Sequence, residues 1–187
     1  MNEVENDIIK ACQSGDLSQF SQLYDTYARK IYDFIYYRVQ HRPSAEDLTS
    51  QTFFKALENI GKYRDNSGNF SAWLYKIARN TVIDYYRTKK NEADVTDYFG
   101  LNDGSDLARD FDTKEKLKSV EKYLQGLNPE VREILIMRVW QGLSYQEIGA
   151  ILNKSEASCK MQFSRAITKL RKDLPLASLI FLFLIKL

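Results

Sequence analysis

Leu143-Ser144-Tyr145-Gln146-Glu147-Ile148-Gly149-Ala150-Ile151-Leu152-Asn153-Lys154-Ser155 reads as a short helix, a tight turn and the start of a second helix. Ser144 and Glu147 have the spacing of a capping box, in which the hydroxyl accepts from the backbone at Glu147 and the carboxylate reaches back to Ser144. Asn153 tolerates the left-handed turn conformation, and Ser155 is placed to cap the second helix. That helix turns Cys159, Phe163, Ala166, Ile167 and Leu170 inward. It turns Glu156, Ser158, Lys160, Met161, Gln162, Ser164, Arg165 and Lys169 outward. Two short helices joined this way form a helix-turn-helix, whose second helix is suited to the major groove of DNA. From Lys154 to Lys172 six basic residues stand against Glu156, a net +5. An ordinary helical hairpin with a solvated basic face has the same pattern.

Working outward, the chain reads as helical almost throughout. Leu117, Val120, Leu124 and Leu127 mark one helix, and Asn128-Pro129 starts another whose apolar face holds Val131, Ile134, Leu135 and Val139. Gly142 ends it. Residues 91–113 differ in composition: seven acidic residues against Arg109 give net −6, and Asn102-Asp103-Gly104-Ser105 is turn chemistry. This stretch reads as a flexible acidic linker between two small helical domains.

Before the linker, Gly15-Asp16 is a stop and N-cap, and Leu17, Phe20, Tyr24, Tyr27, Ile31 and Phe34 share one face of a helix reaching about Gln40. Pro43-Ser44 breaks the chain, and Ser44 with Asp47 resembles a capping box. A helix with Leu48, Phe53, Ala56, Leu57 and Ile60 follows and ends at Gly61. In the next helix Phe70, Trp73, Leu74, Ile77, Ala78, Thr81, Val82 and Tyr85 keep the helical period, and Lys76, Arg79, Asn80, Ile83 and Arg87 lie opposite. Lys62 to Lys90 carries seven basic against two acidic residues, net +5. Basic side chains track phosphates and aromatics stack on unpaired bases. Trp73 and Tyr85 fall on the apolar stripe, whereas Tyr63 and Tyr86 do not, which leaves those two for stacking.

The totals exclude other classes. The 187 residues have a formal net charge of +2, 44% hydrophobic and 28% charged residues, enough apolar content for a core. No apolar run reaches the length of a membrane span, and the acidic first residues do not resemble a signal peptide. Cys12 and Cys159 are far apart, so neither a disulfide framework nor a zinc site is expected, and the setting reads as reducing cytoplasm. His41, the only histidine, lies in a turn-like stretch and is expected to be a solvated loop residue without a catalytic role. The carboxylates cluster in the linker, where charge runs are usually solvated, so no catalytic centre, metal or cofactor is expected.

Three segments together resemble a known family: Asp47-Leu48-Thr49-Ser50-Gln51-Thr52-Phe53, Phe70-Ser71-Ala72-Trp73-Leu74-Tyr75-Lys76-Ile77-Ala78-Arg79-Asn80, and Leu143-Ser144-Tyr145-Gln146-Glu147-Ile148-Gly149. In order and spacing, from about Phe20 to Leu174, the chain is similar to bacterial sigma factors of the extracytoplasmic-function group of the sigma-70 family. The resemblance implies an all-α protein with a helical lead-in at 1–15, sigma domain 2 at 16–90, the acidic linker at 91–113, sigma domain 4 at 114–173 and an apolar tail at 174–187. Its implied function is to bind core RNA polymerase and direct initiation at promoters with −35 and −10 elements, without chemistry of its own.

Asp47, Leu48, Ser50, Gln51, Phe53 and Phe54 would then meet polymerase. Tyr63, Arg64, Asn66, Lys76, Arg79, Asn80 and Arg87 would melt and read the −10 element, capturing a flipped base. Ser158, Lys160, Met161, Ser164 and Arg165 would read the −35 duplex. Implied partners are core polymerase, promoter DNA and an anti-sigma factor. The tail would pack on domain 4 or contact a partner or membrane. The chain departs from the family where Ser50-Gln51 replaces the usual Gln-Glu, which removes a carboxylate from the polymerase-facing motif. It departs again at Ala157-Ser158-Cys159, at Met161 and at Gln162 in the recognition helix. A stand-alone helix-turn-helix regulator would leave the first half unexplained.

Overall fold

The structure, a computed structural model, describes residues 3–39, 41–64, 69–90 and 126–173. All regular structure among them is helical. The chain divides into two compact units, Met1–Tyr98 and Phe99–Leu187. The readings made for the linker, for the helix of Leu117 to Leu124 and for the tail fall outside the described residues.

The first unit contains α1 (Glu3–Gln13), α2 (Phe20–Val39), α3 (Arg42–Asn59) and α4 (Phe70–Lys90). Gly15, at φ +109°, makes the reversal after α1, a conformation that L side chains rarely adopt. Asp16 then accepts from the side chains of Ser18 and Gln19, which hold its carboxyl below the usual range. The expected helix from Leu17 begins instead as a 3-10 turn, Leu17–Gln19, that leads into α2.

The start of α3 corrects the sequence reading. Pro43 lies inside the first turn, where its missing N–H costs nothing. The N-cap is His41, whose Nδ1 accepts from the Ser44 backbone N–H at 3.3 Å, so this histidine has a structural role. Ser44 is not the cap; its hydroxyl lies 2.9 Å from His41 Nδ1 and 3.1 Å from the Tyr85 hydroxyl on α4. The other end also differs. α3 stops at Asn59 and tightens into a 3-10 turn, Ile60–Lys62, so Gly61 is no left-handed stop.

Ile31, Phe34 and Ile35 of α2, Leu48, Phe53 and Ala56 of α3, and Phe70, Leu74, Tyr75 and Ala78 of α4 close the core. The Phe34 and Tyr75 rings meet edge-on at 4.9 Å. Each of the Leu, Ile and Phe side chains contributes on the order of 1.5–3 kcal/mol by leaving water. α1 adds Ile9 and Cys12 to this core.

The second unit contains α5 (Pro129–Val139), α6 (Tyr145–Leu152) and α7 (Glu156–Asp173). Asn128 caps α5 by accepting from the Glu130 N–H at 3.0 Å, with Pro129 in the first turn. The capping box of Ser144 and Glu147 forms in full, and Asn153 takes the left-handed conformation at φ 57°. Leu135, Ala166, Ile167 and Leu170 make a common core flanked by Leu127, Val131, Val139, Trp140 and Phe163. Ile136 and Met137, which the single-face reading of α5 left out, are also buried. The four consecutive apolar residues Ile134 to Met137 are buried together, so in this turn of the helix no single face carries the pattern.

Candidate nucleic-acid interface

α4 presents Lys76, Asn80, Ile83 and Arg87 to solvent, at steps of four, three and four, so they lie along one face. Arg79, half-buried, borders it. Arg87 Nη2 pairs with Asp84 Oδ1 at 3.2 Å, a surface pair with little energy to hold it against a competing phosphate. At the turn before α4, Arg64 is exposed and its Nη1 donates to the carbonyls of Gly61 at 2.9 Å and Tyr63 at 2.8 Å. Asn66 lies outside the described residues.

The aromatic readings need correcting. Tyr63 is only 5% exposed, its ring wedged 5.7 Å from Phe70 and 5.2 Å from Trp73. It therefore packs beneath the basic face and offers no open ring for a base. Tyr86 is half-buried and its hydroxyl donates to the carbonyl of Arg38 on α2. Both misreadings have one cause: helical periodicity ranks positions along one helix and says nothing of a neighbouring helix that covers the other side.

On α3 the expected polymerase-facing residues divide in two. Asp47, Ser50, Gln51 and Phe54 are exposed. Leu48, at 3%, and Phe53, at 4%, belong to the core, so any surface contact falls to the first four. Phe54 is 62% exposed, a large apolar side chain held in water, as an interface anchor would be. Gln51 Nε2 donates to Asp47 Oδ2 at 2.9 Å and fixes that carboxylate along the helix.

The helix-turn-helix is held by local geometry. A Cβ placed on Gly149 would lie 2.6 Å from the Lys154 carbonyl oxygen and 3.5 Å from the Glu156 nitrogen. Only glycine lets the turn pass that closely, and the Lys154 N–H donates to the Gly149 carbonyl at 2.8 Å. Ser155 caps α7, its hydroxyl accepting from the Ser158 N–H at 3.2 Å. Arg138 donates to the Leu143 carbonyl at 2.9 Å and covers the Tyr145 ring, which fixes the start of α6. Lys160, Met161, Ser164 and Arg165 are all exposed on one side of α7. Ser158 is half-buried, and its hydroxyl accepts from Gln162 Nε2 at 3.0 Å. It therefore orients its neighbour as well as lying near the surface.

Cys159 and Cys12 are buried, and burial pushes both thiols above their ordinary range, away from the reactive thiolate. Among the described residues no cluster of three or more His, Cys, Asp or Glu side chains could hold a metal ion. No helix among them is long and apolar enough to cross a membrane.

Two family models match the chain: sigma-70 region 2 over residues 23–92 and sigma-70, region 4, over residues 117–170. The chain is 35% identical to the ECF RNA polymerase sigma factor BldN of Streptomyces coelicolor, over 90% of this chain and 65% of that relative's length. It is 31% identical to the ECF RNA polymerase sigma factor SigW of Bacillus subtilis, over 89% of this chain and 94% of that relative. Among solved structures it resembles the sigma factor RpoE of Bartonella quintana, crystallised with the anti-sigma factor NepR. That match has a TM-score of 0.62 and 23% identity over 82% of this chain and 94% of that one, a likeness of fold.

Proposed function

The chain belongs to the extracytoplasmic-function group of the sigma-70 family, and we propose that it is the promoter-specificity subunit of RNA polymerase. It binds core polymerase and directs initiation at promoters with −35 and −10 elements. The observation that carries this reading is the exposed α7 face of Lys160, Met161, Ser164 and Arg165, set on a glycine-locked turn, in a chain that also matches region 2.

In this reading residues 16–90 form domain 2 and residues 114–173 form domain 4. Lys160 and Arg165 hold phosphates, while Met161 and Ser164 meet base edges in the major groove. Met161 offers a thymine methyl an apolar contact and has no guanidinium with which to select guanine. Arg64, Lys76, Arg79, Asn80 and Arg87, with Asn66, receive the opened −10 strand, where cations hold the backbone. Asp47, Ser50, Gln51 and Phe54 dock on polymerase. The chain supplies binding and no catalytic group; the polymerase does the chemistry. Its setting is the cytoplasm, and an anti-sigma factor is its expected regulator.

Run-off transcription tests this. Core polymerase with the full chain, given a library randomised at −35 and −10, should yield transcripts from a selected subset sharing one pair of elements. No promoter-directed transcript would overturn the reading. Start-site mapping after overexpression should return the same pair.

A further inference from the structure

A side chain at the end of α1 hydrogen-bonds the turn that precedes α4. Gln13, the last residue of α1, donates through Nε2 to the carbonyls of Ile60 at 3.1 Å and Tyr63 at 3.0 Å, 47 and 50 residues further on. The same Tyr63 carbonyl accepts from Arg64 Nη1 at 2.8 Å. One oxygen thus bridges Gln13 and the guanidinium. Beside these bonds lies an open groove of about 580 Å³ lined by Asn6, Ile9, Lys10, Tyr63 and Arg64 as well as Gln13 and Gly61. Ile9, Ile60 and Tyr63 pack the inner side of the junction, and the Gln13 amide ties its outer side.

The chemistry gives this bridge direction. The Ile60 carbonyl already accepts from the Tyr63 N–H at 3.1 Å, and Gln13 adds a second donor to it; the Tyr63 carbonyl, past the end of the turn, receives its donors from side chains, Gln13 and Arg64. Gln13 donates to the Tyr63 oxygen from one side, and the Tyr63 ring packs against Phe70 and Trp73, so both ends of the residue are restrained. Arg64 is then held by that oxygen and by Gly61, with two of a guanidinium's five N–H donors used and its charge facing water.

We propose that Gln13 is a positioning residue for promoter opening: through the Tyr63 carbonyl it holds Arg64 where the opened −10 strand is received. The proposal deepens the sigma-factor reading and rests on it. α1 thereby serves the −10 element without touching DNA.

The test uses the full chain with core polymerase on a promoter that the wild-type holoenzyme selects from the randomised library. Permanganate reactivity of −10 thymines reads opening, and core affinity and melting temperature are measured alongside. Gln13→Glu keeps the shape but replaces the donating amide with a carboxylate; Gln13→Met keeps the bulk and removes the donor. Both should lower opening about tenfold, as loss of a bifurcated tether permits, with core affinity unchanged within twofold. Arg64→Ala should lower opening at least as much, and adding Gln13→Glu to it should cost nothing further, because the two act through one oxygen.

Additive losses, unchanged opening in either Gln13 variant, or a parallel fall in core affinity would overturn the proposal. If the wild-type holoenzyme opens no promoter, the sigma-factor reading itself fails, and the proposal with it.

Discussion

The two candidate DNA-facing regions are held by different means. In the second unit the caps and the turn that join the two helices are local: the capping box of Ser144 and Glu147, the left-handed Asn153, the close pass at Gly149 and the Ser155 cap fall between residues 144 and 158. In the first unit the restraints cross the sequence. Gln13 reaches Ile60 and Tyr63, Ser44 meets Tyr85, and Tyr86 donates to Arg38. A local device survives as long as its own short segment folds. A long-range one exists only once the whole helical unit has closed. The turn into the recognition helix is therefore preset by its own segment, with α5 covering the inner face of that helix, whereas the α4 face is set by the core beneath it.

The largest test of that difference strikes the core under α3. Leu48→Ala removes a side chain 3% exposed and should destabilise the first unit by about 2–5 kcal/mol, from lost transfer energy and the cavity left behind. Phe54→Ala, six positions on and 62% exposed, should shift stability by no more than about 0.5 kcal/mol. It should instead weaken core-polymerase binding by about tenfold or more. Urea unfolding and a core-binding titration separate the two. If Leu48→Ala were as harmless to folding as Phe54→Ala, the first unit would not be held by its interior.

A smaller effect probes the local device. Gly149→Ala drives a methyl group to 2.6 Å from a backbone oxygen, and backbone cannot yield as a flexible side chain does. The turn must open, at about 1–3 kcal/mol. Binding to a −35 duplex should fall with it, because α7 no longer holds its angle to α6. Unchanged duplex affinity would mean that the turn does not set the angle of the recognition helix.

The same contrast explains what the sequence made legible. The helix-turn-helix could be read in detail because cap, turn and cap recur at fixed spacings within one short segment, and each constrains its neighbour. The helices of the first unit were legible too, since apolar periodicity marks a buried face. The occupants of that face were less so. Tyr63 and Tyr86 looked exposed because the residues that cover them, Phe70 and Trp73 for one and Arg38 for the other, lie on different helices or across a turn. Leu48 and Phe53 fall in the polymerase-facing motif together with Asp47 and Phe54, and a motif does not distinguish the outward residues of a helix from the inward ones that support them. His41 reads as loop in the sequence because histidine is an uncommon cap and Pro43 suggests a break where the helix has already begun.

The smallest effect sharpens the comparison most, because it sets one cap of each kind side by side. Ser144→Ala should cost about 1 kcal/mol, the ordinary value of a lost N-cap. His41→Ala should cost a similar amount, for the Ser44 N–H then loses its acceptor. The two caps differ in what else they hold. The Ser144 hydroxyl and N–H bond to Glu147, three residues away. His41 also lies against the Ser44 hydroxyl, which in turn meets the Tyr85 hydroxyl on α4. Tyr85→Phe removes the far end of that relay without touching the cap, and should cost about 0.5–1.5 kcal/mol. If the relay acts as one unit, His41→Ala and Tyr85→Phe together should cost less than their sum, as coupled neighbours do. His41→Asn, which restores a strong cap, should recover most of the loss. Urea unfolding of the four variants and the double mutant decides the point. Full additivity would make His41 a local cap like Ser144, and the Ser44–Tyr85 contact would then hold α4 to α3 independently of that cap.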